Sequence, residues 1–209
     1  MCNIAAYVGE RRAAPILIEM LSRIEGMNAG FFTGIATLHE GRLHYRKLEG
    51  ELSYLLAHTD AADLPGNIGL IHGRTPGMGG DGWAHPFVGM RANEPVTALI
   101  ANGSFGIFKP NLDRYTAIAR SLEADGYTLT SATAQPVELG RPLASGLRAH
   151  MTDAFCQLVL RYMDAGESEA RALELAFTEA PEEMVTLMLS VQHPIASSGR
   201  CSTSPPSAP

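Results

Sequence analysis

What the sequence has little of narrows its function first. Charge is sparse, with 18% Asp, Glu, Lys and Arg, and the balance is acidic, a formal net charge of −6 over 209 residues. A chain without a basic stripe has no footprint for phosphodiester backbones, which excludes nucleic acid as the main partner. Long apolar runs are missing too. No stretch approaches the roughly 18 residues a membrane helix needs, so no membrane partner is expected. Glu10, Arg11 and Arg12 cut short the first apolar run, and no export signal is read there. Cys2, Cys156 and Cys201 sit too far apart for a disulfide framework or a metal spacing, so a reducing cytoplasm is the expected compartment. His72 and His85 lack Cys or acidic companions at ligand spacing; they read as structural histidines, and no metal is implied. The glycine-rich TPGMGGDG at 75–82 lacks the G-K-[ST] ending of a phosphate loop.

What is present is an ordinary globular composition, 45% apolar, enough for one buried core. Residues 2–8 read as a strand ended by Gly9. Ile16, Leu17, Met20, Leu21 and Ile24 then recur at helical spacing before Gly26. TGIATLHEGRLHYRKL reads as a hairpin turning at His39-Glu40-Gly41. ELSYLLAH is a short amphipathic helix, and NIGLIHGR and PVTALIANG are apolar strands separated by the glycine-rich loop. Asn111 is placed to cap a helix running to Ala124 and closed by Asp125-Gly126. YTLTSAT is strand-like; helices follow around 146–163 and 167–179, then the strand MVTLMLSV. Beyond His193 serine and proline dominate, so one domain is expected over 1–196, with 197–209 a disordered tail. The order lacks strict βαβ alternation and predicts an α+β fold of layered antiparallel sheets flanked by helices.

Chemistry concentrates where apolar strands end. Cys2 follows the initiator methionine directly, and cysteine is small enough for that methionine to be removed. A mature N-terminal cysteine carries a thiol and, in its α-amine of pKa ~7.7–8.0, a base on the same residue. Position alone leaves a buried or incidental cysteine equally open. Arg74 offers a planar fork suited to a carboxylate; taken alone, a solvated or ion-paired arginine is the commoner case. Asn102-Gly103 could supply a side-chain amide and a backbone N–H to one oxyanion, and reads equally well as a hairpin turn.

In chain order these residues form a pattern: M-C-N-I-A-x-Y-V-G at 1–9, R-x-x-x-x-L-x-x-x-L-x-R-x-E at 12–25, G-I-A at 34–36, I-G-x-x-H-x-R at 68–74, A-H-P at 84–86 and N-G at 102–103. It resembles the class II glutamine amidotransferases, most of all the glutaminase domain of the glutamine–fructose-6-phosphate aminotransferases, over residues 1–137. The resemblance implies an Ntn-hydrolase αββα sandwich, two antiparallel sheets between helical layers, with its completeness at the C-terminus left open. It puts Cys2 at the nucleophile, Arg74 at the arginine binding the glutamine α-carboxylate, and Asn102 and Gly103 at the oxyanion pair, Gly103 also lying near the substrate's amino group. The implied reaction is hydrolysis of the glutamine side-chain amide through a thioester, with no cofactor. The implied partners are L-glutamine and a separate or lost synthase domain that accepts the ammonia.

The chain also departs from the family pattern. Asn3 stands where the family has glycine, and Thr75, Pro76, Gly77 and Met78 replace the Trp, Ala, Thr and His that follow the arginine. Ala101 replaces a histidine, Asn28 an arginine, and Ala134 the aspartate that neutralises the substrate's ammonium. A bound charge left without its partner is costly. Two alternatives therefore stay open: an Ntn amidohydrolase acting on a different amide, and a degenerate, non-catalytic binding domain.

Overall fold

The computed structural model describes residues 2–26, 29–103, 112–137, 140–191 and 197–200. Asn28, Asn111 and Cys201 lie outside the described residues. The first half of the chain forms β1 (Asn3–Val8), α1 (Ala13–Ser22), β2 (Phe32–His39), β3 (Arg42–Glu49), α2 (Leu52–His58) and β4 (Ile68–Arg74). There follow β5 (Phe87–Arg91), β6 (Glu94–Gly103), α3 (Leu112–Ala124), β7 (Arg141–Pro142), β8 (Arg148–Ala149), α4 (Met151–Asp164), α5 (Glu169–Glu179), β9 (Met184–Ser190) and β10 (Ser197–Arg200). Two four-stranded sheets result, in orders β1-β4-β2-β3 and β10-β9-β6-β5, every pairing antiparallel.

The burial pattern explains the layering. β2 is buried at every position but its last, because both of its faces are covered. Ile35 packs with Leu17, Leu21, Leu48 and Ile71 beneath α1 and α2. On the opposite face Ala36 and Leu38 meet Leu70, Val88, Ile100 and Leu189, the seam between the two sheets. The far face of the second sheet, with Phe87, Leu99 and Met188, packs on Phe155, Val159 and Phe177 of α4 and α5. Helices, sheet, sheet, helices: this is the expected αββα sandwich. No helix among the described residues is long and apolar enough to cross a membrane.

Local chemistry sets the turns. Glu40 and Gly41 both have positive φ (48° and 74°), as a two-residue hairpin turn between His39 and Arg42 requires. A second tight hairpin, β5–β6, turns at Ala92 and Asn93 with φ of 48° and 66°. No glycine marks it, and so the sequence gives no turn signal there. Gly34 in β2 has no side chain because a Cβ would lie 2.0 Å from the His85 carbonyl, where the chain crosses toward β5.

Two expectations change. YTLTSAT is not a strand: apart from an isolated bridge of Thr133 to Arg148, the segment is tied to the start of α4 instead. Ser197–Arg200, assigned by composition to a disordered tail, pair as β10 with β9. Backbone N–H and carbonyl groups alone make a ladder at a sheet edge, so composition does not exclude it.

Candidate active site

Three strands of the first sheet end together. Phe32 of β2 pairs with Arg74 of β4 on one side and Glu49 of β3 on the other. Asn3 of β1 pairs with Gly73, so Cys2 continues the Arg74–Phe32–Glu49 row at its outer end. Alternation places this row, together with His72 and Lys47, on the face turned toward the second sheet. Asn3 falls on the opposite face, and its amide donates to the Ile24 carbonyl (2.5 Å) at the end of α1. The extra side chain at position 3 therefore braces a helix and leaves the Cys2 face clear.

The second sheet meets this row through the end of β6. The Cys2 backbone N–H donates to Asn102 Oδ1 (3.3 Å), and Asn102 Nδ2 donates back to the Cys2 carbonyl (3.1 Å). This reciprocal pair spans 100 residues and fixes both backbone ends of the cysteine. Gly103 is the last residue of β6, one position further along.

Arg74 is 7% exposed. Its guanidinium lies over the Phe32 ring (4.7 Å to the centroid) and near Trp83 (5.7 Å), while Nη1 donates to the Trp83 carbonyl (3.3 Å). Burial pulls its pKa below the ordinary guanidinium value, and the charges of Cys2 and Glu49 oppose that shift. No carboxylate among the described residues closes an ion pair with it. A buried cation in that state is expensive, and an incoming anion relieves the cost. Gly77 passes so close that a Cβ there would sit 2.9 Å from Nη2. The loop that differs from the family at 75–78 thus still packs on the arginine.

Beneath the strand ends lies a floor of neutral imidazoles. His72 donates from Nε2 to the Ala101 carbonyl (3.1 Å), while the Ala101 N–H donates to His85 Nδ1 (3.2 Å). The two ring centroids lie 4.0 Å apart, with the rings tilted by 32°. Burial pushes His72 down to about 3, and His85 and His150 well below their ordinary value. Lys47, lowered by burial to about 8, donates to the carbonyls of Gly82 (3.1 Å) and Ala84 (2.9 Å).

The loop bearing Ala134 reaches the same region. Trp83 Nε1 donates to the Ser131 carbonyl (2.9 Å), and Gln135 approaches Gly80. Asp153 of α4 holds that loop by accepting from the Ser131 N–H (2.7 Å) and hydroxyl (2.8 Å). Ala134 itself is exposed and offers no charge. Sequence reasoning named Cys2, Arg74, Asn102 and Gly103, and all four stand at these strand ends. It missed Lys47, Trp83, His150 and Asp153.

The arrangement combines a thiol at a pinned chain start, an amide donor beside it and an unpaired buried cation one strand away. No protein-family model matches the chain. Its sequence is 30% identical over 190 residues to a glutamine–fructose-6-phosphate aminotransferase of Pyrococcus horikoshii, covering 88% of this chain and 29% of that protein. It is 33% identical over 154 residues to the enzyme of that name from Bartonella henselae, covering 70% of this chain and 23% of that protein. The chain thus spans less than a third of these curated relatives. The fold matches the glutamine phosphoribosylpyrophosphate amidotransferase of B. subtilis with a TM-score of 0.64 at 14% identity, covering 91% of this chain and 35% of that one. A structure described as the allosteric regulatory enzyme of purine biosynthesis matches with a TM-score of 0.66 at 15% identity, covering 91% and 36%.

Proposed function

We propose that this relative of the class II glutamine amidotransferases is itself an N-terminal-cysteine glutaminase, releasing ammonia from L-glutamine. The reading rests on the reciprocal Cys2–Asn102 pairing beside the unpaired guanidinium of Arg74. Once Met1 is removed, the Cys2 nitrogen is an amine that still donates to Asn102 Oδ1. Its lone pair, through a water, takes the thiol proton.

The thiolate then attacks the amide carbon. The oxyanion takes hydrogen bonds from the backbone N–H of Gly103 and from Asn102 Nδ2, whose second hydrogen is not used by the Cys2 carbonyl. The carbon–nitrogen bond breaks, the proton held on the amine goes to the leaving ammonia, and a thioester remains. Water, deprotonated by the same amine, attacks the thioester; glutamate leaves and the thiol is restored. Arg74 grips the α-carboxylate in a bidentate fork, with the Phe32 ring fixing the plane of the guanidinium. The ammonia goes to a separate synthase module, in the cytoplasm.

Ammonia release from glutamine tests the reading. Cys2→Ala should show none, and Asn102→Ala should lower kcat about 10²- to 10³-fold, the usual loss for one oxyanion donor. Undiminished release by Cys2→Ala would refute it.

A further inference from the structure

We infer that Lys47 is a positioning residue for the carboxylate grip of Arg74, acting through the turn that carries Trp83. This deepens the glutaminase reading and rests on it. Asp81–Trp83 form one short 3₁₀ turn, closed by Trp83 N–H to the Gly80 carbonyl (2.9 Å) and Ala84 N–H to the Asp81 carbonyl (3.1 Å). The carbonyls at its end find no partner within the turn, as at any helix terminus. Two cations take three of them in succession. Lys47 Nζ donates to Gly82 (3.1 Å) and Ala84 (2.9 Å), and Arg74 Nη1 donates to Trp83 between them (3.3 Å). Lys47 therefore fixes the peptide planes on both sides of the carbonyl that anchors the guanidinium.

The strand register brings Lys47 there. It pairs with Gly34 of β2, and a Cβ on Gly34 would lie 2.0 Å from the His85 carbonyl and 2.7 Å from Lys47 Cβ. The chain leaving the turn crosses close over this pair, which keeps its carbonyls within reach of Nζ. The ammonium sits over the Phe87 ring, 4.9 Å from the centroid. Other parts of the turn have their own anchors: Asp81 Oδ1 accepts from the Glu49 N–H (2.8 Å), and Trp83 Nε1 donates to the Ser131 carbonyl (2.9 Å). Lys47 holds the remaining edge, the row of carbonyls that meets Arg74. Burial lowers its pKa to about 8, but a neutral amine keeps two N–H groups, one for each carbonyl. The brace outlasts the charge.

The test compares L-glutamine with 4-aminobutyramide, which keeps the amide and the amine but lacks the carboxylate, using the full chain. Lys47→Met keeps the apolar stem and removes both donors. It should lower the ratio of kcat/KM for glutamine over 4-aminobutyramide by about 2- to 13-fold, the span of one hydrogen bond, mainly through KM for glutamine. Lys47→Arg should restore most of that ratio. If the methionine variant does not fold, Lys47→Gln should move the ratio in the same direction. In an Arg74→Ala background, where the grip is already lost, Lys47→Met should change the ratio no further. A merely structural lysine would lower both activities together. A ratio unchanged in Lys47→Met or Lys47→Gln, with wild type active on glutamine, therefore overturns the inference alone, as does a further fall in the Arg74→Ala background. Wild type inactive on both amides overturns the glutaminase reading and the inference with it.

Discussion

Arg74 concentrates the energetics of the site in one residue. Its fork is set by Phe32, Trp83 and the close pass of Gly77, so the charge alone does not define its role. Arg74→Lys keeps the charge and loses the bidentate geometry and the ring stacking. Steady-state kinetics should therefore show KM for glutamine rising by about tenfold or more, with a smaller change in kcat. Equal KM values would remove Arg74 from carboxylate binding. Cys2, Arg74 and Asn102 were legible in the sequence because each ends an apolar run with a residue that carries distinct chemistry. Lys47 was not, because a lysine on an amphipathic strand looks like ordinary solvated surface until the register places it beside Gly34.

Elements were legible where periodicity and turn chemistry agreed. The β2–β3 hairpin, α2 and β4 fall where His39-Glu40-Gly41, the ELSYLLAH pattern and the NIGLIHGR run put them. The β5–β6 hairpin escaped because Ala92 and Asn93 adopt positive φ without a glycine. The apolar alternation of YTLTSAT misled, because tertiary bonds outrank strand propensity there. Asp153, fully buried in the first turn of α4, accepts from Ser131 and from Gln157 and so pins the 129–135 loop against Trp83. Burial raises its pKa, and those hydrogen bonds work against that rise. Asp153→Ala leaves the buried Ser131 N–H and Gln157 amide without this acceptor. Urea unfolding should show a loss of about 2–3 kcal/mol. A loss under about 0.5 kcal/mol would mean the loop holds its place by other contacts.

At the scale of the whole molecule, His72, His85 and, at the start of α4, His150 form a buried neutral cluster faced by Arg74 and Lys47. Burial, the largest cause, sets their folded pKa values below the unfolded value of ~6.5. The unfolded chain therefore binds more protons once pH drops under that value. Stability is full above it and declines toward the folded values, about 3 for His72. Each histidine costs about 1.4 kcal/mol per pH unit in that window. Urea midpoints should fall between pH 7.5 and 5.5 with the slope m unchanged, and a constant midpoint would show these rings protonate freely in the fold. The sandwich itself matters to function because it brings the start of β1 and the end of β6 into one hydrogen-bonded pair. Whether that meeting point is a catalytic centre is answered most directly by intact mass before and after a glutamine-like alkylating analogue. The protein should lack Met1, take up one equivalent, on Cys2, and stop releasing ammonia as it does so. Labelling of Cys156 instead, or full turnover by protein that retains Met1, would contradict it.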